Sequence, residues 1–167
     1  MKPSNKMEAA LLAAANYPKP MTRNDVTEIV VMAKIKKGLS WTKLAKTIGQ
    51  SKEWTTAALL GQMQMTKRQA EAAGTLLDLP PDAVLLLQQV PYKGSLPTAV
   101  PTDPLIYRFY ELVMIYGTTF KELIHEEFGD GIMSAIDFKM DITRKPDPNG
   151  DRVKIVMSGK YLQYKTY

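Results

Sequence analysis

The chain has no cysteine and only one histidine, His125. The first absence excludes a disulfide framework, a thiol nucleophile and a thiolate metal site, and it fits a reducing compartment. The second leaves no means of building a zinc site from imidazoles. Long apolar runs are missing too: none approaches the roughly 20 residues that span a bilayer, which predicts a soluble protein with no membrane partner. There is no internal repeat, low-complexity tract, Gly-rich phosphate loop or metal-ligand cluster. The opening "MKPSNKMEAALLAAANYPKP" imitates a signal peptide, with two lysines before an Ala/Leu run. Glu8 interrupts that run and no A-x-A site follows cleanly, so the segment is not read as one.

What is present is an ordinary globular composition, 45% hydrophobic and 23% charged over 167 residues, enough for one sizeable core or two small ones. Charge is unevenly spread. Residues 1–90 hold 12 Lys/Arg against 7 Asp/Glu and residues 91–167 hold 10 against 10, so the whole excess of +5 is N-terminal. A basic half fits either an anionic partner such as nucleic acid or a solvated lysine surface.

From Thr22 to Lys37, Val26, Ile29, Val30 and Ala33 recur at helical spacing, with Asp25 and Glu28 near the start where carboxylates suit the helix dipole. Gly38 stops this helix. Ser40 caps "WTKLAKTI", Gly49 stops it, and Ser51 caps "KEWTTAALL". A further helix runs from about Thr66 to Leu77, and Asp78 or the Pro80-Pro81 pair opens a short apolar one in "DLPPDAVLLLQQ". Pro91, Pro97, Pro101 and Pro104 then preclude regular structure. The predicted organisation is a helical domain over 1–91, a Pro-rich linker over 92–103 and a second domain over 104–167. In that second domain the spacing predicts a helix from Pro104 to about Tyr116-Gly117, another from Thr119 to Phe128, and a stop at "GDG". Ile136, Phe138, Met140 and Ile142 alternate with polar residues, a half-buried strand. "VKIVMSGKYL" returns after a turn at Asn149-Gly150, making a β-hairpin. One sheet face then has nothing to cover it, and a partner chain would supply the cover.

"GLSWTKLAKTIGQSKEWTTAALLGQ" has the layout of a phage-repressor-type helix-turn-helix. Its second helix, Lys52 to Leu60, offers only two threonine hydroxyls as base readers, so a role in the fold alone is expected. His125, beside Glu126 and Glu127, has no adjacent nucleophile motif; a solvated helix end accounts for it better than catalysis or metal binding. In "YRFYELVMIYGTT", Arg108 and Glu111 share one helix face, while Phe109, Leu112, Val113 and Tyr116 form an apolar stripe on another. A helix apolar on most sides puts the charged pair against protein. The pair is then either an i, i+3 salt bridge or an anion site.

"TAALLGQ" (56–62), "PTDP" (101–104), "YRFYE" (107–111), "YGTT" (116–119), "HEEFGDGIMSAIDF" (125–138) and "GKYL" (159–162) together resemble the cyanases, also called cyanate hydratases or cyanate lyases, from about Lys34 to the C-terminus. The resemblance implies an α+β, mainly helical protein: an N-terminal helix-turn-helix-like bundle without known need for DNA, and a small α+β dimerisation domain with the hairpin. It implies conversion of cyanate and bicarbonate to carbon dioxide and carbamate, which falls apart to ammonia and carbon dioxide. The family's arginine, glutamate and serine map onto Arg108, Glu111 and Ser134. Also implied are bicarbonate as co-substrate with no cofactor or metal, and a homodecamer, a pentamer of dimers, with active sites between subunits. Cytoplasmic location and no nucleic-acid partner complete the expectation. The alternative is a DNA-binding regulator with an anion-sensing C-terminal domain.

Overall fold

Short polar side chains set where the first helices begin. A computed structural model describes residues 20–94, 96 and 98–165; the segment weighed as a signal peptide lies outside them apart from Pro20, as does Pro97 of the linker. Helix α1 (Arg23–Lys36) starts at a capping box between Thr22 and Asp25, and α4 (Lys67–Leu77) at one between Thr66 and Gln69. Ser40 caps α2 (Trp41–Ile48) and Ser51 caps α3 (Lys52–Leu59). Each such cap satisfies a helix-end N–H and contributes about 1 kcal/mol. Of the two expected openings for α5 (Pro81–Leu87), the proline pair is the one used, with Pro80 at the N-cap. Asp78 instead ends α4 in the left-handed region at φ 52° and pairs with Lys37 at 2.6 Å.

The chain divides into two compact units, residues 1–93 and 94–167. The first has a closed core: Val30 of α1, Leu44 of α2, Leu59 of α3, Ala73 of α4 and Leu87 of α5 are fully buried. Gly74 lets α5 approach α4, since a Cβ there would lie 2.6 Å from Val84 Cγ2. Arg23 binds helix ends together, donating from Nη1 to the Leu86 carbonyl at 2.7 Å and from Nη2 to those of Ala58 and Met63 at 3.0 Å. Burial pushes its guanidinium below the ordinary value, which the carbonyl dipoles at the ends of α3 and α5 counter. On α3 the Thr55 hydroxyl is buried without a partner and the Thr56 hydroxyl donates to the Lys52 carbonyl at 2.7 Å. Neither threonine is therefore presented as a base reader.

The second unit is the inverse. Asp103 caps α6 (Pro104–Phe128), its Oδ1 accepting from the Leu105 and Ile106 N–H groups at 2.9 Å. Two helices with a break at Tyr116-Gly117 were expected, and one helix of 25 residues forms instead. A lone glycine costs a helix interior only about 1 kcal/mol relative to alanine, and no proline or competing cap follows to turn that cost into a stop. No residue of α6 is buried. Strands β1 (Gly131–Lys145) and β2 (Arg152–Gln163) pair antiparallel. The hairpin forms as expected, but β1 begins five residues before Ile136, and the strand is not half-buried: Ile136 is 99% exposed. Its side chain belongs to a bulge between Met133 and Phe138, where the period of two is broken.

Candidate active site

Four residues beyond its first proline, α6 carries Arg108, and Glu111 follows one turn later. Arg108 Nη1 lies 2.8 Å from Glu111 Oε2, the i, i+3 geometry expected from the sequence. The guanidinium also sits 5.2 Å from the Tyr107 ring centroid, and Tyr107 packs on Tyr110 at 5.9 Å. The expected protein surround is not supplied by the chain itself, because the Arg108 side chain is 61% exposed and that of Glu111 39%. At that exposure the pair contributes only about 0.2–0.5 kcal/mol to the helix. The apolar stripe of Phe109, Leu112, Val113 and Tyr116 is equally open.

Ser134 is one of the few buried residues of this unit, 6% exposed. Its Oγ accepts hydrogen bonds from the Ile136 N–H at 3.0 Å and the Asp137 N–H at 2.9 Å. Those two amides are thus spent on the serine. With both acceptor directions engaged, the hydroxyl keeps its hydrogen as the group it can offer. A buried donor polarised by two amides suits an anion or a developing negative charge.

The structure brings Arg108 and Glu111 together and keeps Ser134 away from them. Met133, next to Ser134, lines a cavity of about 250 Å³ with Ile124, Phe128 and Tyr161. Ile124 is sixteen residues beyond Arg108 on the same helix, or ~24 Å at the α-helical rise. Within one chain, Arg108 and Ser134 therefore lie toward opposite ends of α6.

His125 is accounted for structurally. Its Nδ1 lies 3.2 Å from Lys121 Nζ and its Nε2 3.2 Å from the Gly131 carbonyl oxygen. An ammonium only donates, so Nδ1 accepts and the Nε2–H donates to Gly131, tying α6 to the start of β1. Among the described residues no group of three or more His, Cys, Asp or Glu is placed to hold a metal, and no helix is long and apolar enough to cross a membrane. Sequence reasoning missed Tyr161. Its ring packs on Phe128 at 5.2 Å and its hydroxyl is buried without a partner. Burial, and then the Asp130 charge, push the phenol up. A Cβ at Gly131 would lie 2.5 Å from that hydroxyl, so the second glycine of "GDG" makes room for the ring as well as following a helix stop.

Known proteins resemble this chain in both of its units. Residues 23–91 match the family model described as "Cyanate hydratase, N-terminal", and residues 98–166 match "Cyanate lyase C-terminal domain". The chain is 74% identical to a cyanate hydratase of Ralstonia pickettii and 71% identical to one of Dechloromonas aromatica. Both likenesses extend over 147 residues, 88% of this chain and the whole of each relative. A crystal structure of cyanase from T. urticae superposes with a TM-score of 0.73 at 37% identity, covering 83% of this chain and 96% of that one. A chain matched in both its units and spanning whole relatives at such identity belongs to the cyanate hydratase, or cyanase, family.

Proposed function

We propose that the protein decomposes cyanate in a bicarbonate-dependent reaction, at sites where Arg108 and Glu111 of one chain meet Ser134 of another. Cyanate, bicarbonate and one proton give carbamate and carbon dioxide; carbamate with a second proton gives ammonia and another carbon dioxide. Both substrates are anions. Holding two unit charges about 4 Å apart at an effective dielectric near 20 costs roughly 4 kcal/mol. A guanidinium stays charged at physiological pH and presents its donors in a fixed fork, so Arg108 offsets that repulsion. Glu111, at 2.8 Å, orients the fork and limits how tightly the anions are held. Ser134 donates to the charge that develops as a bicarbonate oxygen adds to the cyanate carbon. Catalysis rests on proximity and preorganised electrostatics, with bicarbonate as nucleophile and no cofactor.

The observation that carries this reading is the separation of Arg108 from Ser134 along α6, which a second chain would bridge. The apolar flank of α6 supports it: Val113 is 58% exposed and Leu123 59%, and covering such half-open side chains contributes on the order of 1 kcal/mol each. The assembly is a homodecamer, a pentamer of dimers, working in the cytoplasm. A DNA-binding regulator is disfavoured by α3, whose threonine hydroxyls are buried or bonded to its own backbone. The deciding assay is ammonia release from cyanate with and without bicarbonate, before and after exhaustive chelation. Turnover without bicarbonate, or turnover abolished by chelation and restored by one divalent metal, would overturn the proposal.

A further inference from the structure

The strands pair from Gly131↔Gln163 to Met133↔Tyr161 and resume at Phe138↔Gly159, so residues 134–137 of β1 stand against Lys160 alone. Four residues against one cannot all pair in the ladder, and two contacts determine how the excess bulges. Ser134 Oγ closes the bulge from within by accepting the Ile136 and Asp137 amides. The Ser134 peptide then comes down on β2 at Gly159. A Cβ built there would fall deep inside the contact radius of the Ser134 carbonyl oxygen, 3.3 Å from its carbonyl carbon and 2.6 Å from Met133 Cγ. Gly159 is not among the residues with positive φ, so space, not backbone conformation, demands glycine. The obstructing oxygen belongs to backbone, which cannot rotate aside as a side-chain tip can.

We infer that Gly159 is a positioning residue for catalysis: its bare Cα is the seat on which the Ser134 peptide rests, and it sets where the Ser134 hydroxyl points. This deepens the proposed function and rests on Ser134 being a substrate donor. A Cβ at 159 must lift the Ser134 peptide by on the order of 1 Å, and a misplacement of that size at a reacting centre costs about 10²-fold in rate. The effect runs through Ser134, so it should vanish where the serine hydroxyl is already gone. A residue important only for folding would lower activity in either background.

The test is kcat and KM for cyanate at saturating bicarbonate on the wild type, Gly159→Ala, Ser134→Ala and the double variant, with sedimentation confirming assembly. Amide exchange at Ile136 and Asp137 reads the bulge directly. Gly159→Ala should lower kcat by about 30-fold or more, speed exchange at both amides, and cost no more than about twofold in the Ser134→Ala background. Turnover of Gly159→Ala within about threefold of wild type, or an equal fractional loss in both backgrounds, overturns the positioning role. If Ser134→Ala keeps wild-type turnover, the reading of Ser134 itself fails. If Ser134→Ala is strongly impaired while Gly159→Ala keeps near-normal turnover, only the positioning fails. Should Gly159→Ala not assemble, Met133→Ala/Gly159→Ala, which removes one of the two obstructions, is compared with Met133→Ala by the same criteria.

Discussion

Mixing two strongly impaired variants is expected to restore turnover. Arg108→Ala keeps an intact Ser134 and Ser134→Ala keeps an intact Arg108, yet neither chain carries both. Were the site built within one chain, every chain in a mixture would remain defective and the mixed rate would be the mean of the two parents. The ~24 Å of helix between Arg108 and Ile124, which lines a cavity with Met133 beside Ser134, is the observation that motivates the two-chain reading. If a site takes Arg108 from one chain and Ser134 from another, random reassembly of equal amounts makes about a quarter of sites complete, or fewer where a site draws on more than one copy of each residue. The two proteins are unfolded together, refolded and assayed for ammonia release, with native mass measurement confirming mixed assemblies. A rate no higher than that of the parents, in assemblies shown to be mixed, would refute the shared site.

Replacing Arg108 by lysine keeps the charge but removes the fork. Activity should fall about 10²-fold or more, as when one oriented donor is lost, while sedimentation stays unchanged; near-normal turnover would remove Arg108 from the mechanism. Thr55→Val substitutes a same-shaped apolar group for a buried hydroxyl without a partner and should stabilise the helical unit by about 1–2 kcal/mol, read as a higher denaturation midpoint; a lower midpoint would show that the hydroxyl has a partner. Arg23→Met, which withdraws donors from three carbonyls, should lower stability by on the order of 3 kcal/mol, measured the same way. Asp147 is held below the ordinary carboxylate range by Arg152 and by the Asn149 N–H. Its support of the hairpin turn is therefore present above the unfolded carboxyl value and lost as pH falls through the folded one. Protection of the Asn149 amide from exchange, relative to its intrinsic rate at each pH, should fall over that acid range, and a flat protection profile would contradict the linkage.

Most of the helical unit was legible because its signals are local. Thr22, Ser40, Ser51 and Thr66 each cap from one side-chain oxygen to a backbone N–H three residues away, a distance that sequence spacing reports directly. Gly117 misled because a glycine stops a helix only where the flanking chain favours a turn, and its neighbours Tyr116 and Thr118 do not. The bulge could not be read at all: it depends on Ser134 closing on its own amides and on Gly159, 25 positions away, leaving room. Spacing and burial logic reached Arg108 and Glu111, since an ion pair in an apolar helix is locally anomalous. Ser134 came only from resemblance to the family, because nothing in the spacing of "GIMSAI" marks a serine as a donor.

The exposure of Arg108 bears on why such a site would be divided. In the isolated chain the guanidinium faces water, where a unit anion about 4 Å away is attracted by only about 1 kcal/mol. At an effective dielectric near 20 the same pair is worth about 4 kcal/mol. Under the shared-site proposal, the second chain thus contributes two things at once: the Ser134 donor and the exclusion of water that strengthens Arg108. Under the same proposal the exposed apolar stripe of Phe109, Leu112, Val113 and Tyr116, on the same helix as the charged pair, would both drive association and dry the site. Anion binding strong enough for catalysis then arises only on assembly, and an unassembled chain holds its arginine beside Glu111 in a pair too weak to sequester either substrate.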